Sequence, residues 1–450
     1  MTLSSLEARP RWLTPTRLLV LGFFSVIVAG TLFLMLPWST FSGQSAPFID
    51  ALFTATSAVC VTGLVVVNTA SFWSFWGQLV IIILIQVGGL GLMTFATAHA
   101  LVTGRRVGLR ERLIIQEQTG QWSLSGLVVL VRRIILATVI FEGTGAVILG
   151  LAFGLTRKLS FFQAAFFGLF HSVSAFCNAG FDILGNSLMD YASSATVTLT
   201  VSFLIIFGGL GFHVLADLFV NRGRWDKLSL HSKLVLKVTA ALLVVGTLVV
   251  FALERDNPDT LMGMSLKGKV LASWFQSVTP RTAGFNSIAT DKLKVSTAFF
   301  VICLMFIGAS PGGTGGGVKT TTFFTAIRFV TSTVTGGGYV NFEKRRLPEG
   351  VVLKAVTIIL LSLGLVVTAT MILTITENAS FLDILFEVVS AFGTVGLSRG
   401  ITPTLSVTGK LVLIVTMFAG RVGPLSLAMA LSHKAKGTDI RYPEERVSVG

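Results

Sequence analysis

The residues best placed to do chemistry in this chain offer backbone atoms rather than side chains. Four stretches share one pattern: FTATSAVCVTGL ending at Leu64, FHSVSAFCNAGF ending at Phe181, WFQSVTPRTAGF ending at Phe285 and FEVVSAFGTVGL ending at Leu397. In each, an aromatic residue (Phe53, Phe170, Trp274, Phe386) lies ten positions before a glycine (Gly63, Gly180, Gly284, Gly396). Glycine accepts φ > 0, so the carbonyls beside it can leave a helical ladder and point to a common centre. Rings of inward carbonyls replace the hydration shell of a potassium ion. The candidate ion ligands are therefore Val61, Thr62 and Gly63; Asn178, Ala179 and Gly180; Thr282, Ala283 and Gly284; and Thr394, Val395 and Gly396.

One such glycine would read more simply as a small residue at a helix contact. Four copies reverse that weight, because successive glycines are 117, 104 and 112 residues apart. Each period holds an apolar run before the short element and another after it. The short helices, expected to end near Ser57, Ser174, Val278 and Ser390, cannot span and should dip in and return. Such backbone survives at membrane depth only where it lines water or is buried in protein.

A second glycine cluster follows each of the four: QVGGLGLM from Gln86, IFGGLGFH from Ile206, GASPGGTGGGVKT from Gly308 and FAGRVGPL from Phe418. Gly88, Gly208, Gly308 and Gly420 fall 25, 28, 24 and 24 residues after the filter glycines. The third cluster cannot continue a helix, given its glycines and proline. Gly308, Ala309, Ser310, Pro311, Gly312, Gly313, Thr314, Gly315, Gly316 and Gly317 are thus expected to form an intramembrane gating loop. The phosphate-loop reading of GGTGGGVKT fails because Val318 separates the last glycine from Lys319.

Charges inside spanning segments are functional candidates by default. Arg421, at the depth of the loop, could bind loop carbonyls and repel passing cations. Lys319 is expected to snorkel toward the basic face, and Glu142 to need a basic partner. Glu387 and Asp182 lie near the outer mouth, where carboxylates could concentrate cations, although solvated surface charge is the plainer reading; His171 and His213 read as satisfied packing histidines.

The surrounding composition supplies the elements. Of 450 residues, 52% are hydrophobic and 12% charged, and the apolar ones gather in runs at 18–36, 79–95, 134–153, 197–214, 234–253 and 356–373. Each approaches the ~20 residues that cross a bilayer, so the chain reads as a multi-pass helical membrane protein. Residues 1–17 lack a small-residue cleavage site and read as a retained tail. Basic residues cluster at 105–112, 222–227, 344–346 and 434–441, which places both termini in the cytoplasm by the positive-inside rule. That rule accounts for the net charge of +14 without nucleic acid. Cys60, Cys177 and Cys303 lack metal-ligand spacing.

The expected fold is all-α: four helix, pore-loop, helix repeats in pseudo-fourfold array around a central pore, with about eight spanning and four re-entrant helices. Repeat 1 covers 18–104, repeat 2 covers 105–227, repeat 3 covers 228–346 with the loop at 308–317, repeat 4 covers 347–433, and 434–450 forms a tail. No Ser/His/Asp set, HExxH motif or carboxylate pair suggests an enzyme, and no covalent cofactor is expected. An alternating-access symporter built on inverted repeats is the alternative, but all four repeats start on the basic side.

The four filter stretches, the GASPGGTGGGVKT loop and Arg421 resemble the superfamily of bacterial and plant potassium transporters of the Trk, Ktr and HKT types. The resemblance covers almost the whole chain, and its compact length and RYPEERVSVG tail are similar to the Ktr-type membrane subunit. The resemblance implies potassium uptake across the cell membrane, stimulated by sodium. It also implies a homodimer with one ion path per subunit, controlled by a cytoplasmic ring of nucleotide-binding RCK-domain subunits. The third filter departs from the others, with Pro280 and Arg281 beside it. Because only glycine is common to all four, fewer carbonyl rings and some sodium permeation are expected.

Overall fold

The structure, a computed structural model, describes residues 15–91, 127–431, 443 and 445. The run expected at 92–95 and the basic clusters at 105–112 and 434–441 lie outside the described residues. Four long apolar helices open the repeats: α1 (Pro15–Leu34), α4 (Leu127–Arg157), α8 (Leu230–Glu254) and α12 (Glu349–Thr376). Only about a third of each is buried against protein (28–33%), yet their exposed faces carry Leu32, Val139, Leu151, Leu248 and Val367. An apolar face that size needs an apolar solvent, which a bilayer supplies.

Each long helix is followed by a short one. These are α2 (Phe48–Val59), α5 (Phe161–Phe176), α9 (Leu266–Val278) and α13 (Phe381–Gly393). At about 1.5 Å per residue none can cross a membrane. Serine sets three of their starts: Ser160, Ser265 and Ser380 accept from the N–H groups of Gln163, Gly268 and Asp383, and Gln163 completes a capping box. The aromatics that marked the repeat hold these helices in the core, with Phe53, Phe170 and Phe386 fully buried.

The inner helices are α3 (Phe75–Leu90), α6 (Ala195–Leu210), α10 (Val295–Phe306) and α14 (Val407–Val422). They are not the straight spans that runs such as 197–214 suggest. After α6 the chain turns 96° into α7 (Phe212–Val220), and after α14 it turns 98° into α15 (Pro424–Leu431). The bends sit at Gly211 (φ 94°) and Gly423 (φ 92°), and α3 stops likewise at Gly91 (φ 83°). Each lies three residues beyond the glycine expected to interrupt the helix.

Gly88, Gly208 and Gly420 remain helical and serve close approach instead. A Cβ there would lie 2.0 Å from the Val59 carbonyl oxygen, 1.9 Å from that of Phe176 and 1.9 Å from that of Phe392. These three inner helices thus seat the C-terminal ends of the short helices of their own repeats against bare backbone. After the third inner helix comes the non-helical stretch 307–319, then α11 (Thr320–Val334) and a hairpin of β1 (Asn341–Phe342) and β2 (Arg345–Arg346).

Candidate functional site: a ring of backbone carbonyls above an intramembrane loop

The four strands expected to form the filter emerge from the C-terminal ends of short helices, where the helix dipole favours positive charge. A hydroxyl near each helix end anchors its strand. Ser57 Oγ and Ser390 Oγ accept from the N–H of Gly63 (3.0 Å) and Gly396 (3.1 Å). Ser174 Oγ and Thr279 Oγ1 donate to the carbonyls of Phe181 (2.8 Å) and Phe285 (2.7 Å). The third strand uses a threonine one position later, which accommodates the irregular TPRTAG sequence.

The strands meet in a closed ring. A Cβ on Gly63 would lie 2.4 Å from the Ala179 oxygen, one on Gly180 2.7 Å from Ala283, one on Gly284 2.4 Å from Val395, and one on Gly396 2.1 Å from Thr62. Repeat 1 thus abuts repeat 2, then 3, then 4, and then 1 again. Only glycine allows carbonyl oxygens to come that close on every side.

The backbone carries a second signature. Val61, Asn178, Thr282 and Thr394 have φ of 51°, 57°, 73° and 49°, and the glycines two residues later have φ of 90°, 68°, 79° and 91°. The residue between them stays at negative φ, and this alternation turns successive peptides toward one side. Left-handed Val and Thr each cost on the order of 1–3 kcal/mol, strain that gathers at functional sites. Glycine at the turn was legible in the sequence; a β-branched residue bearing positive φ has no sequence signal.

On the side of the ring away from residues 308–317, the four glycines line one mouth of about 220 Å³, together with Asp182, Asn286, Ser398 and Thr402. Asp182 lines this mouth, and its Oδ1 accepts from the N–H groups of Leu184 (3.0 Å) and Gly185 (2.8 Å). Glu387, expected in solvent, is fully buried in α13. Its carboxylate takes hydroxyl donors from Ser398 (2.9 Å) and Thr402, a cost of burial that paired donors offset. Arg281 is also buried and turns away to Thr239 Oγ1 at 3.5 Å.

Residues 308–317 lie directly below the ring. A Cβ on Gly315 would strike Thr282 Oγ1 at 1.9 Å, and the Gly316 N–H donates to Thr394 Oγ1 at 2.9 Å. The loop's N–H groups at Ser310 and Thr314 reach the Gly209 (3.0 Å) and Gly208 (3.1 Å) carbonyls, and Gly317 reaches Gly420 (3.4 Å). Beneath it opens a cavity of about 700 Å³ lined by Gly312, Gly315, Gly317, Lys319 and Arg421, with none of residues 61–63, 178–180, 282–284 or 394–396 in its wall. The loop stands between the two chambers.

Arg421 sits where the sequence predicts: it donates to the Thr314 carbonyl and to those of Gly88 and Gly89. Lys319 departs from expectation, since its Nζ folds back onto the Gly315 carbonyl at 2.6 Å instead of snorkelling. Among the described residues no basic residue meets Glu142. Its carboxylate accepts from Gln86 Nε2 at 3.2 Å and faces Cys177 Sγ at 3.8 Å. His171 is the satisfied packing histidine expected: it is buried, with both ring nitrogens hydrogen-bonded, to the Phe167 carbonyl (2.7 Å) and the Ile183 N–H (3.4 Å). The His213 ring lies 5.9 Å from that of His231.

A family model described as "TrkH: Cation transport protein" matches residues 9–438. The chain is 43% identical to the Ktr system potassium uptake protein B of Bacillus subtilis, over 97% of both chains. It is 40% identical to the potassium/sodium uptake protein NtpJ of Enterococcus hirae, over the full length of both. The crystal structure of the potassium transporter TrkH from Vibrio parahaemolyticus superposes with a TM-score of 0.75 at 21% identity, covering 96% of this chain and 87% of that one, a likeness of fold. With a match across nearly its whole length, this chain belongs to the TrkH family of cation transport proteins.

Proposed function

We propose that the protein takes potassium into the cell through the ring of carbonyls at residues 61–63, 178–180, 282–284 and 394–396, with loop 308–317 as its gate. The observation that carries this reading is the closed contact of Gly63, Gly180, Gly284 and Gly396 above a loop that separates two chambers. Inward carbonyls supply the oxygen cage a dehydrated cation needs. With only glycine common to the four strands, the cage is irregular and admits some sodium. The Enterococcus hirae relative, named a potassium/sodium uptake protein, is in keeping with a sodium dependence.

The loop closes the path by filling the space under the ring, and Arg421 and Lys319 hold it there while adding positive charge to the route. Basic connections at Arg222, Arg224 and Lys227 and at Lys344, Arg345 and Arg346 face the cytoplasm, as do both termini. Opening is controlled from that face by a ring of nucleotide-binding RCK-domain subunits, and two copies of the chain pair as a homodimer. Flux from purified protein in liposomes under opposed potassium and sodium gradients tests the core of this. Potassium-selective uptake is expected; equal, gradient-driven movement of both ions, or none, overturns it.

A further inference from the structure

One residue after the repeat's aromatic, the four pore helices carry Thr54, His171, Phe275 and Glu387. Two of these reach across to the strand that leaves their own filter. His171 must donate through Nδ1, because its partner there is the Phe167 carbonyl, so Nε2 is the nitrogen that accepts from the N–H of Ile183, three residues after Gly180. Glu387 accepts from Ser398, two residues after Gly396, and from Thr402. The other two do not: Thr54 Oγ1 has no hydrogen-bond partner and Phe275 has no polar atom.

Strands 1 and 3 are held sideways instead, by the loop after strand 2. Asn68 Nδ2 donates to the Gly185 carbonyl at 3.0 Å. The Asn286 N–H donates to Ser187 Oγ at 2.8 Å, and the Leu188 N–H to the Asn286 carbonyl at 2.9 Å. In the ring order 1, 2, 3, 4, the strands tied to their own helix at this position are therefore diagonal partners. Strand 4 has the stronger tie, a buried carboxylate with two hydroxyl donors. Arg399 adds to it, pairing with Asp383 one turn earlier in α13 (2.5 Å) and donating to the Thr290 carbonyl (3.0 Å).

We infer that Glu387 is a positioning residue for ion selection, fixing the outer end of the fourth filter strand through Ser398 and Thr402, with His171 as its counterpart on the diagonal strand. A carbonyl cage distinguishes ions by the number and placement of its oxygens. The angle at which strand 4 leaves Gly396 sets where the Val395 and Gly396 carbonyls stand. Ser398 Oγ also accepts from the Gly400 N–H at 3.0 Å and lies 3.0 Å from Thr402 Oγ1, so Glu387 closes a hydrogen-bonded network at the mouth these residues line.

This inference rests on the proposed conduction, and the test separates the two. The potassium-to-sodium permeability ratio is read from reversal potentials of the full chain in liposomes for wild type, E387A, E387Q, T402V and E387A/T402V. E387A and T402V are each expected to move the ratio toward sodium by about threefold or more, the scale of one lost buried hydrogen bond. E387Q, which still accepts a hydroxyl, holds it within about twofold, and the double variant goes no further than the larger single change, because both break one link. An unchanged ratio in E387A and T402V with intact potassium flux overturns the inference, as does a double variant equal to the product of the singles. Should E387A not assemble, T402V, which swaps a hydroxyl for a methyl, decides the matter alone. A wild-type chain that passes no potassium defeats the conduction reading and this inference with it, whereas an unchanged ratio with intact flux defeats this inference alone.

Discussion

Arg421, in the last inner helix, donates to the carbonyl of Thr314, 107 residues earlier in the intramembrane loop. The same guanidinium holds the Gly88 and Gly89 carbonyls at the end of the first inner helix. One planar donor therefore ties repeats 1, 3 and 4 together beneath the ring. Because carbonyls in a dry interior are costly to strand, the loop gains a fixed position that its own glycine-rich sequence could not hold.

Replacing that clamp should loosen the loop without touching the ring. R421A is expected to raise basal rubidium flux by about tenfold, since a lost charged hydrogen bond shifts an equilibrium by roughly that factor. R421K, whose ammonium lacks the planar fork, should fall between R421A and wild type. Wild-type flux in R421A would remove the clamp from the gating account.

Deleting residues 312–316 takes out the part of the loop that fills the space below Thr282 and Thr394. Flux should rise further than in R421A, and the potassium-to-sodium ratio should stay near wild type, because the ring keeps its own anchors at Ser57, Ser174, Thr279 and Ser390. A deletion that abolishes selectivity would instead make the loop part of the filter.

The glycines of the inner helices and those of the long outer helices α4 and α12 separate by role. G88A, G208A and G420A each drive a methyl into a backbone carbonyl and should cost about 1–3 kcal/mol, as overpacking does. G143A and G364A meet nothing within 4 Å and should be neutral or gain up to about 1 kcal/mol of helix propensity. Thermal unfolding in detergent gives the ranking, and similar losses in both groups would deny the packing role.

These glycines also mark where sequence reading stops. The cluster Gly88, Gly89, Gly91 announces an interrupted helix, and period and spacing place it in the right repeat at about the right depth. Which glycine bends and which makes room depends on what the neighbouring helix puts opposite each, and that is tertiary information. The same limit hid Glu387: a carboxylate near a mouth looks solvated until Ser398 and Thr402 fold back over it. Glu142 was expected to find a cation and found Gln86, 56 residues away. The ring was legible because four imperfect repeats carry it, whereas no residue type announces the left-handed backbone at Val61, Thr282 and Thr394.

At the basic face, the hairpin between β1 and β2 is joined to α8 by Glu343 and Lys237. The hydrogen bond from Lys237, then its charge, lowers the Glu343 pKa from the ordinary glutamate value. A lowered carboxylate pKa stabilises the folded state above the unfolded value and loses that contribution as pH falls through the folded one. E343Q should therefore melt slightly below wild type at neutral pH, and the gap should close below about pH 4. Because the pair is exposed, salt should shrink the gap as well. A difference that persists unchanged in acid would show that the pair does not act through charge.

The ring itself makes an ordered prediction. An alanine at Gly396 would meet the Thr62 oxygen at 2.1 Å, those at Gly63 and Gly284 would meet theirs at 2.4 Å, and one at Gly180 would meet Ala283 at 2.7 Å. All four also carry φ between 68° and 91°, which costs a non-glycine residue about 1–2 kcal/mol whatever the space. Strain alone would therefore make the four substitutions alike, while the contacts rank them. Loss of potassium selectivity should be greatest in G396A, intermediate in G63A and G284A, and least in G180A, measured as the ratio of potassium to sodium uptake. Serine in place of alanine at Gly63 or Gly284 should follow the same order, since its Cβ meets the same oxygen. Equal effects at all four positions would mean that backbone strain, and not the approach of one repeat's carbonyl to the next, sets the selectivity of the ring.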